Sequence, residues 1–298
     1  MRTVLWTSLA AASVGAYLVI GYAVANRLSS PVRQPLERTP AEVGLDYEEV
    51  FVPSGDGLTL SAWWVDKAGS SRAAVLVHGW AGDKSNLHVV ETALVYERAG
   101  FNVLMLNLRA HGESEGDRVT VGYREVRDVR GALSWLGERG FDPENVVLHG
   151  WSMGGAAVLR AAPSTGVAAV VEEAAYADLV PLLRERIPEA SGLPAFFTPG
   201  VLLMGRLLLG IDPWSVRPVE EARQLYREGV PFMIIHSRDD EMVPFEHAGT
   251  LAAAHPDATL WEIGGYEHVA AHTHPEYTGR LLSFLRGALG PSRLGDGA

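Results

Sequence analysis

A serine bracketed by glycines is the feature that most restricts how this 298-residue chain can fold. The motif Gly150-Trp151-Ser152-Met153-Gly154-Gly155 follows the apolar run 145–149 and precedes the helix-forming run 156–160. Gly-x-Ser-x-Gly between a strand and a helix is typical of a nucleophile elbow, a turn too tight for side chains two positions either side of the serine. The motif therefore predicts an exposed, nucleophilic Ser152 hydroxyl. The alternative interpretation is an ordinary Gly/Ser-rich turn.

A nucleophilic serine needs an acid that orients its base, and the chain offers Asp240. The apolar run 230–236 predicts a late strand, and Asp240-Glu241-Met242-Val243-Pro244 follows it. Pro244 is suited to the first turn of the next helix, which leaves Asp240 at the tip of the loop. Asp239 is the alternative acid. A non-catalytic interpretation is that both aspartates only cap the helix predicted over 244–254.

His268 is the candidate base. It lies in a glycine-rich loop directly after Thr259–Ile263, which predicts the last strand. Enzymes with a nucleophile elbow have the serine, the acid and the histidine in this chain order. His272 and His274 lie nearby, so a metal cluster is the alternative. We expect no metal, because the His-Glu-x-x-His pattern is missing and no fourth ligand is indicated.

Two backbone N–H groups are candidates for the oxyanion site. His78-Gly79-Trp80 follows the buried run 73–77, where enzymes of this type supply one donor, and the residue after the nucleophile supplies the other. The prediction is therefore that the backbone N–H groups of Trp80 and Met153 hold a developing oxyanion. No cofactor is required for this chemistry.

Residues 46–287 resemble an α/β-hydrolase of the large bacterial group with serine-aminopeptidase-like and esterase-like members. The resemblance rests on the motifs around Ser152, Asp240, His268 and His78, and on Asn107-Leu108-Arg109-Ala110-His111-Gly112-Glu113-Ser114. Asn107 and Ala110 depart from the family pattern Asp-x-Arg-Gly-His-Gly-x-Ser. The resemblance implies that this loop lines the mouth of the pocket, so the departures affect substrate choice and leave the triad intact.

The alternation of apolar runs with amphipathic stretches predicts an α/β fold with a mostly parallel sheet and helices on both faces. The predicted hydrolase domain covers residues 46–290, opens with a hairpin around 54–57, and is followed by a flexible tail at 291–298. Residues 178–226 break the rhythm and predict a small helical cap over the site. Their apolar content indicates a hydrophobic acyl pocket; the alternatives are simple packing of the cap on the core, and contact with a lipid bilayer.

The N-terminal stretch from Thr3 to Asn26 contains no charged residue. As a helix it would reach about 33 Å, enough to cross a hydrocarbon core of about 30 Å. The prediction is a retained transmembrane anchor over 1–26, joined by a proline- and arginine-rich linker over 27–45. Cleavage of a signal peptide after Ala25, which would give a secreted protein, is the alternative. The face of the membrane that carries the catalytic domain stays open.

Composition narrows the range of partners. The net charge of −11 argues against a nucleic-acid partner, and the absence of cysteine excludes disulfides and thiol catalysis. The sequence therefore predicts a serine hydrolase that acts on a small-molecule carboxylic ester. The alternatives are a peptidase, with Glu172-Glu173 or Glu185 as a site for a substrate amine, and a non-catalytic binding protein on the same fold.

Overall fold

The computed structural model describes residues 2–290, with side chains described from Trp6 onward. The predicted tail at 291–298 lies outside the described residues. The strands are β1 Glu48–Pro53, β2 Thr59–Val65, β3 Ala73–Val77, β4 Asn102–Leu106, β5 Val146–Trp151, β6 Ala169–Glu173, β7 Phe232–Ser237 and β8 Thr259–Ile263. The α-helices are α1 Arg2–Leu28, α2 Leu87–Arg98, α3 Glu125–Glu138, α4 Met153–Ala161, α5 Leu179–Ser191, α6 Thr198–Leu209, α7 Pro218–Glu228, α8 Glu246–Ala254 and α9 Tyr277–Leu289.

The eight strands form one sheet in the order β1-β2-β4-β3-β5-β6-β7-β8. β1 and β2 form the predicted hairpin and pair antiparallel, and every pair from β4 to β8 is parallel. Alternate residues of β3 enter two hydrophobic cores, one with α3, α4, α7 and α8 and the other with α2 and α9. The predicted mostly parallel sheet, covered on both faces, is confirmed.

The segment inserted between β6 and β7 covers the carboxyl edge of the sheet only in part. Helix α7 buries Val219, Ala222 and Leu225 in the same core as α4 and α8, so it belongs to the layer that flanks the sheet. The helices that cover the site are α5 and α6, joined by a 3-10 turn at Ala195–Phe197. The cap is therefore shorter than the predicted 178–226.

Helix α1 packs against this cap. Ala25 is buried in a separate hydrophobic cluster with Val201 and Leu202 of α6 and Val180 and Ile187 of α5. Among the single helices of residues 2–290, α1 is the one that is long and apolar enough to cross a membrane, over Trp6–Leu28. A signal sequence has the same length and apolar character. The predicted N-terminal apolar helix is thus present.

The segment after α1 has little regular structure, yet it is attached to the hydrolase domain. Val32 forms a β-bridge with His111, and the Arg33 guanidinium donates hydrogen bonds to the carbonyl oxygens of Gly112 and Ser114, each at 2.8 Å. Residues 27–45 therefore hold α1 in one position relative to the sheet.

Candidate active site

Ser152 occupies a strained turn between β5 and α4. Its φ of 53° and ψ of −117° lie in a region that non-glycine residues rarely adopt. A Cβ atom on Gly150 would lie 2.4 Å from the carbonyl oxygen of Gly154, and one on Gly154 would lie 2.1 Å from that of Val77. As expected, there is no space for a side chain two positions before or two positions after Ser152.

Asp240 and His268 meet across the loops that follow β7 and β8. His268 Nδ1 lies 2.7 Å from Asp240 Oδ2, and the other carboxylate oxygen accepts hydrogen bonds from the backbone N–H groups of Met242 and Val243. Because both loops leave the carboxyl ends of neighbouring parallel strands, they reach the same edge of the sheet as Ser152. The structure brings together the histidine and the first-choice acid.

Asp239 has a different position. Its Oδ2 accepts a hydrogen bond of 2.6 Å from the backbone N–H of Gly265, in the loop that carries His268. Asp239 therefore braces this loop, while Asp240 contacts the imidazole.

A second histidine lies beside Asp240, and sequence analysis did not assign it a role. His236, at the end of β7, is buried with Nε2 3.4 Å from Asp240 Oδ2 and 2.8 Å from the carbonyl oxygen of Val243. Burial opposes ionisation of the Asp240 carboxyl, but hydrogen bonds from His236 and His268 outweigh it and hold the pKa of Asp240 well below its usual range. Asp240 is thus kept as a carboxylate.

The loop after β3, which carries the predicted oxyanion donor Trp80, lies beside Ser152. A Cβ on Gly79 would lie 3.1 Å from the Ser152 Cβ, so the glycine allows the loop to approach the serine. His78 is buried; its Nε2 accepts from the backbone N–H of Leu108, which leaves Nδ1–H to donate to the Gly79 carbonyl oxygen at 2.8 Å. His78 therefore fixes the loop that carries Trp80, and Met153 begins α4 beside Ser152.

A cavity of about 370 Å³ opens over the serine. Ser152, Met153, Trp80 and His268 line its floor. Its walls are largely apolar and come from the cap, from the loop after Asp240 and from helix α1: Leu28, Val121, Tyr176, Leu179, Leu182, Leu183, Ile187, Met242 and Val243. The contribution of Leu28 was missed, because the linker prediction separated α1 from the site.

A smaller apolar cavity of about 70 Å³ lies next to this pocket, between α1 and the cap. Leu28, Leu183 and Ile187 line both cavities. The loop 107–114 lines neither, so the expectation that it forms the pocket mouth is wrong. Its Arg109 instead pairs with Asp128 and Asp56, each at 2.7 Å.

The residues predicted as an amine site do not line the pocket over Ser152: Glu185 is exposed beside Arg186, and the other two are buried in the sheet. Glu172 and Glu173 are buried in β6, where Glu172 accepts from the backbone N–H of Ala175 and Glu173 from the Trp151 indole N–H and the backbone N–H of Ala271. Burial raises the pKa of Glu172 to about 8 and that of Glu173 to about 7. Neither carboxyl lines the pocket.

The histidines downstream of His268 are engaged separately. His272 Nε2 lies 4.0 Å from Glu91 Oε2, and His274 Nδ1 accepts from the backbone N–H of Glu276. Across residues 2–290 no three side chains of the metal-binding types are grouped around one point.

Comparison with known proteins identifies the family. Residues 74–280 match the alpha/beta hydrolase family, and the chain belongs to it. It is 27% identical over 243 residues to the alpha/beta hydrolase domain-containing protein WAV2 of Arabidopsis thaliana, across 78% of this chain and 75% of that protein. It is also 27% identical over 253 residues to the lysophosphatidylserine lipase ABHD12 of Gallus gallus, across 75% of this chain and 61% of that protein.

Solved structures support the fold. The esterase Pf2001 of Pyrococcus furiosus matches with a TM-score of 0.71 over 87% of this chain and all of that chain, at 24% identity. At this identity the likeness shows the architecture, an α/β-hydrolase fold, and says nothing of the substrate.

Proposed function

We propose that this protein is a serine esterase with Ser152 as nucleophile, His268 as base and Asp240 as the acid that orients the base. The observation that carries the proposal is the strained Ser152 at the floor of an apolar pocket that His268, bonded to Asp240, also lines. Backbone dihedral angles with such a conformational free-energy cost are found mainly at functional sites, where the surrounding structure holds them in place.

The mechanism is acyl transfer to water. His268 Nε2 takes the Ser152 proton as Oγ attacks the ester carbonyl carbon, and the N–H groups of Trp80 and Met153 stabilise the oxyanion. The tetrahedral intermediate collapses, the alcohol leaves with the proton from His268, and an acyl-serine remains. His268 then deprotonates a water molecule, which attacks the acyl-serine and releases the acid. The Asp240 carboxylate holds Nδ1–H and stabilises the imidazolium in both halves.

The walls of the pocket favour an apolar acyl group. A substrate with a hydrocarbon chain gains roughly 0.8 kcal/mol for each methylene buried, and the leucines of α1 and α5 offer the surface for it. One relative is in agreement, since the chicken protein ABHD12 is named as a lysophosphatidylserine lipase.

We further propose that α1 is retained as a membrane anchor. The supporting observation is that α1 continues without a break through Ala25 and Asn26, and that Ala25 is buried against the cap. Cleavage after Ala25 would remove the helix that covers α6 and would expose apolar side chains to water.

The full-length protein in detergent, assayed with p-nitrophenyl esters of graded acyl length and with aminoacyl-nitroanilides, tests the function. We expect ester turnover that increases with acyl length, and little nitroanilide turnover. Ser152→Ala should lower kcat by on the order of 10⁴–10⁶, and a fluorophosphonate should label only the wild-type protein.

Ser134→Ala, which removes an exposed hydroxyl on α3, serves as the matched control and should leave both readouts unchanged. Labelling that persists in Ser152→Ala would contradict the nucleophile. A preference for nitroanilides would instead indicate a peptidase.

A further inference from the structure

Helices α1 and α6 run side by side in the same direction, so the depth of α1 in a membrane fixes the depth of the cap. The Tyr17 hydroxyl donates to the carbonyl oxygen of Phe196 and accepts from the backbone N–H of Gly200, each at 2.9 Å. Four residues later, a Cβ on Gly21 would lie 2.8 Å from the Gly200 backbone. This close backbone contact between glycines leaves little freedom to slide one helix along the other.

Only the first part of α1 projects beyond the hydrolase domain. Residues 6–16 are all exposed, and contact with the cap begins at Tyr17. The uncharged residues 3–16 reach roughly 21 Å at about 1.5 Å per residue, which is about 9 Å short of a hydrocarbon core of about 30 Å. A spanning α1 must therefore place about six further residues, Tyr17 to Tyr22, within the hydrocarbon as well.

The part of the cap beside Tyr17–Tyr22 is the start of α6, and its chemistry suits that depth. Residues 190–205 carry no charged side chain. The exposed side of α6 presents Pro199, Leu203 and Leu207 four residues apart, in one row along the helix, and Phe196 is 63% exposed next to its first turn. An exposed apolar row of this kind marks a surface that another apolar phase covers.

The far end of α6 has the chemistry of a membrane surface. Arg206 lies 3.5 Å from Asp212 and over the ring of Trp214, which is 41% exposed. Arginine and tryptophan are favoured at the boundary between hydrocarbon and headgroups. The charged Arg186 and Glu189 of α5 face the pocket over Ser152 and pair with each other at 2.9 Å.

We propose that the start of the cap is inserted in the bilayer: Phe196 and Pro199 lie in the hydrocarbon beside α1, Leu203 lies at its boundary, and Leu207 lies with Arg206 and Trp214 at the headgroups. The occupant of this face of α6 is lipid. The proposal does not depend on the esterase chemistry, since it rests on the packing of α1 and on the apolar row.

The absence of cysteine from the chain makes a direct test simple. Single variants Ala12→Cys, Leu203→Cys, Leu207→Cys and Glu144→Cys of the full-length protein are labelled with an environment-sensitive fluorophore. The proteins are placed in phosphatidylcholine vesicles with dibrominated acyl chains, which quench fluorophores inside the hydrocarbon. Glu144 is exposed just before β5, at the edge of the sheet away from the site, and is the aqueous control.

We expect strong quenching at Ala12, weaker quenching at Leu203, little at Leu207 and none at Glu144. Quenching at Ala12 alone would overturn the proposal, because α1 would then be inserted without the cap. Loss of quenching at Ala12 would overturn the depth argument itself. A Leu203 fluorophore that is shielded from aqueous iodide and yet not quenched by the brominated lipid would show that a second copy of the chain covers this face.

Discussion

The rim of the sheet that carries Ser152 and the helical cover formed by α1, α5 and α6 are held together by different interactions. At the rim, positions are set by backbone atoms. A Cβ on Gly154 would lie 2.1 Å from the Val77 carbonyl oxygen, and backbone N–H groups donate to one carboxylate oxygen of Asp240 and to one of Asp239. In the cover, positions are set by apolar side chains around Ala25 and Val201.

From this difference we expect the rim to determine the reaction and the cover to determine which substrates are accepted. Most side-chain substitutions leave backbone contacts unchanged, and the few that disturb them disrupt the fold, so the positions of the reacting groups are fixed. Apolar side-chain contacts adjust when side chains change, so the cover can change its pocket and keep its fold. The contrast predicts that substitutions at the rim act on kcat or on folding, and that substitutions in the cover act on substrate range.

The largest expected effect tests the rim through its two aspartates. Asp240→Asn removes the charge that stabilises the His268 imidazolium, and kcat should fall by on the order of 10⁴. Asp239→Asn disturbs one hydrogen bond to Gly265, worth about 1 kcal/mol, and should cost at most about tenfold. Steady-state kinetics on a short-chain ester measure both, with circular dichroism as the check on folding. If the two losses exchange places, Asp239 is the acid.

The sequence predicted the rim more fully than the cover, for a physical reason. The elbow, Asp240 and His268 follow individual strands, and parallel strands bring their carboxyl ends to one edge, so short motifs sufficed to place them together. The contact of Leu28 with the pocket depends on how distant segments pack, whereas His236 contacts Asp240 and Val243 in the loop that follows it, with no motif to mark the contact. Nothing in the local pattern around Leu28 indicates that it reaches the pocket over Ser152.

The start of a helix can also depend on contacts that the local sequence pattern does not reveal. Helix α3 begins at Glu125, because Val121 and Gly122 have positive φ and the Glu125 carboxylate accepts from the backbone N–H of Thr120. The start of this helix thus depends on a buried carboxylate that folds back on the preceding loop, and helix periodicity carries no sign of it.

A pair of glycine substitutions compares the two regions directly. Gly154→Ala at the rim drives a Cβ into carbonyl oxygens that cannot move, and should destabilise the fold by at least about 3 kcal/mol. Gly205→Ala in the cover meets the Cβ of Ala25 at 3.9 Å, an ordinary van der Waals contact. It should cost within about 1 kcal/mol. Urea unfolding measures both; equal losses would contradict the contrast.

The smallest effect concerns the buried carboxyls beneath the rim. Glu172 has its pKa raised from 4.5 to about 8 by burial, so the folded protein binds a proton that the unfolded chain releases above its ordinary value. The contribution of Glu172 to the free energy of unfolding should therefore fall as pH rises from about 5 to 8. Glu173, with a pKa raised to about 7, and His236, whose pKa is also raised, act in the same direction. Buried histidines whose pKa values are lowered by burial, such as His88 and His149, act in the opposite direction, so the effect of Glu172 is measured as a difference between variant and wild type.

Glu172→Gln isolates the contribution of one group, because the amide does not titrate. The change in the free energy of unfolding from pH 5 to pH 8, measured with urea, should be more positive by roughly 1–3 kcal/mol in this variant than in the wild type. Glu144→Gln, at an exposed site, should reproduce the wild-type change. Asp56 and Asp240 do not interfere, since their lowered pKa values give stability that is lost only when the pH falls below their ordinary range. A Glu172→Gln variant whose change equals that of the wild type would contradict the raised pKa of Glu172.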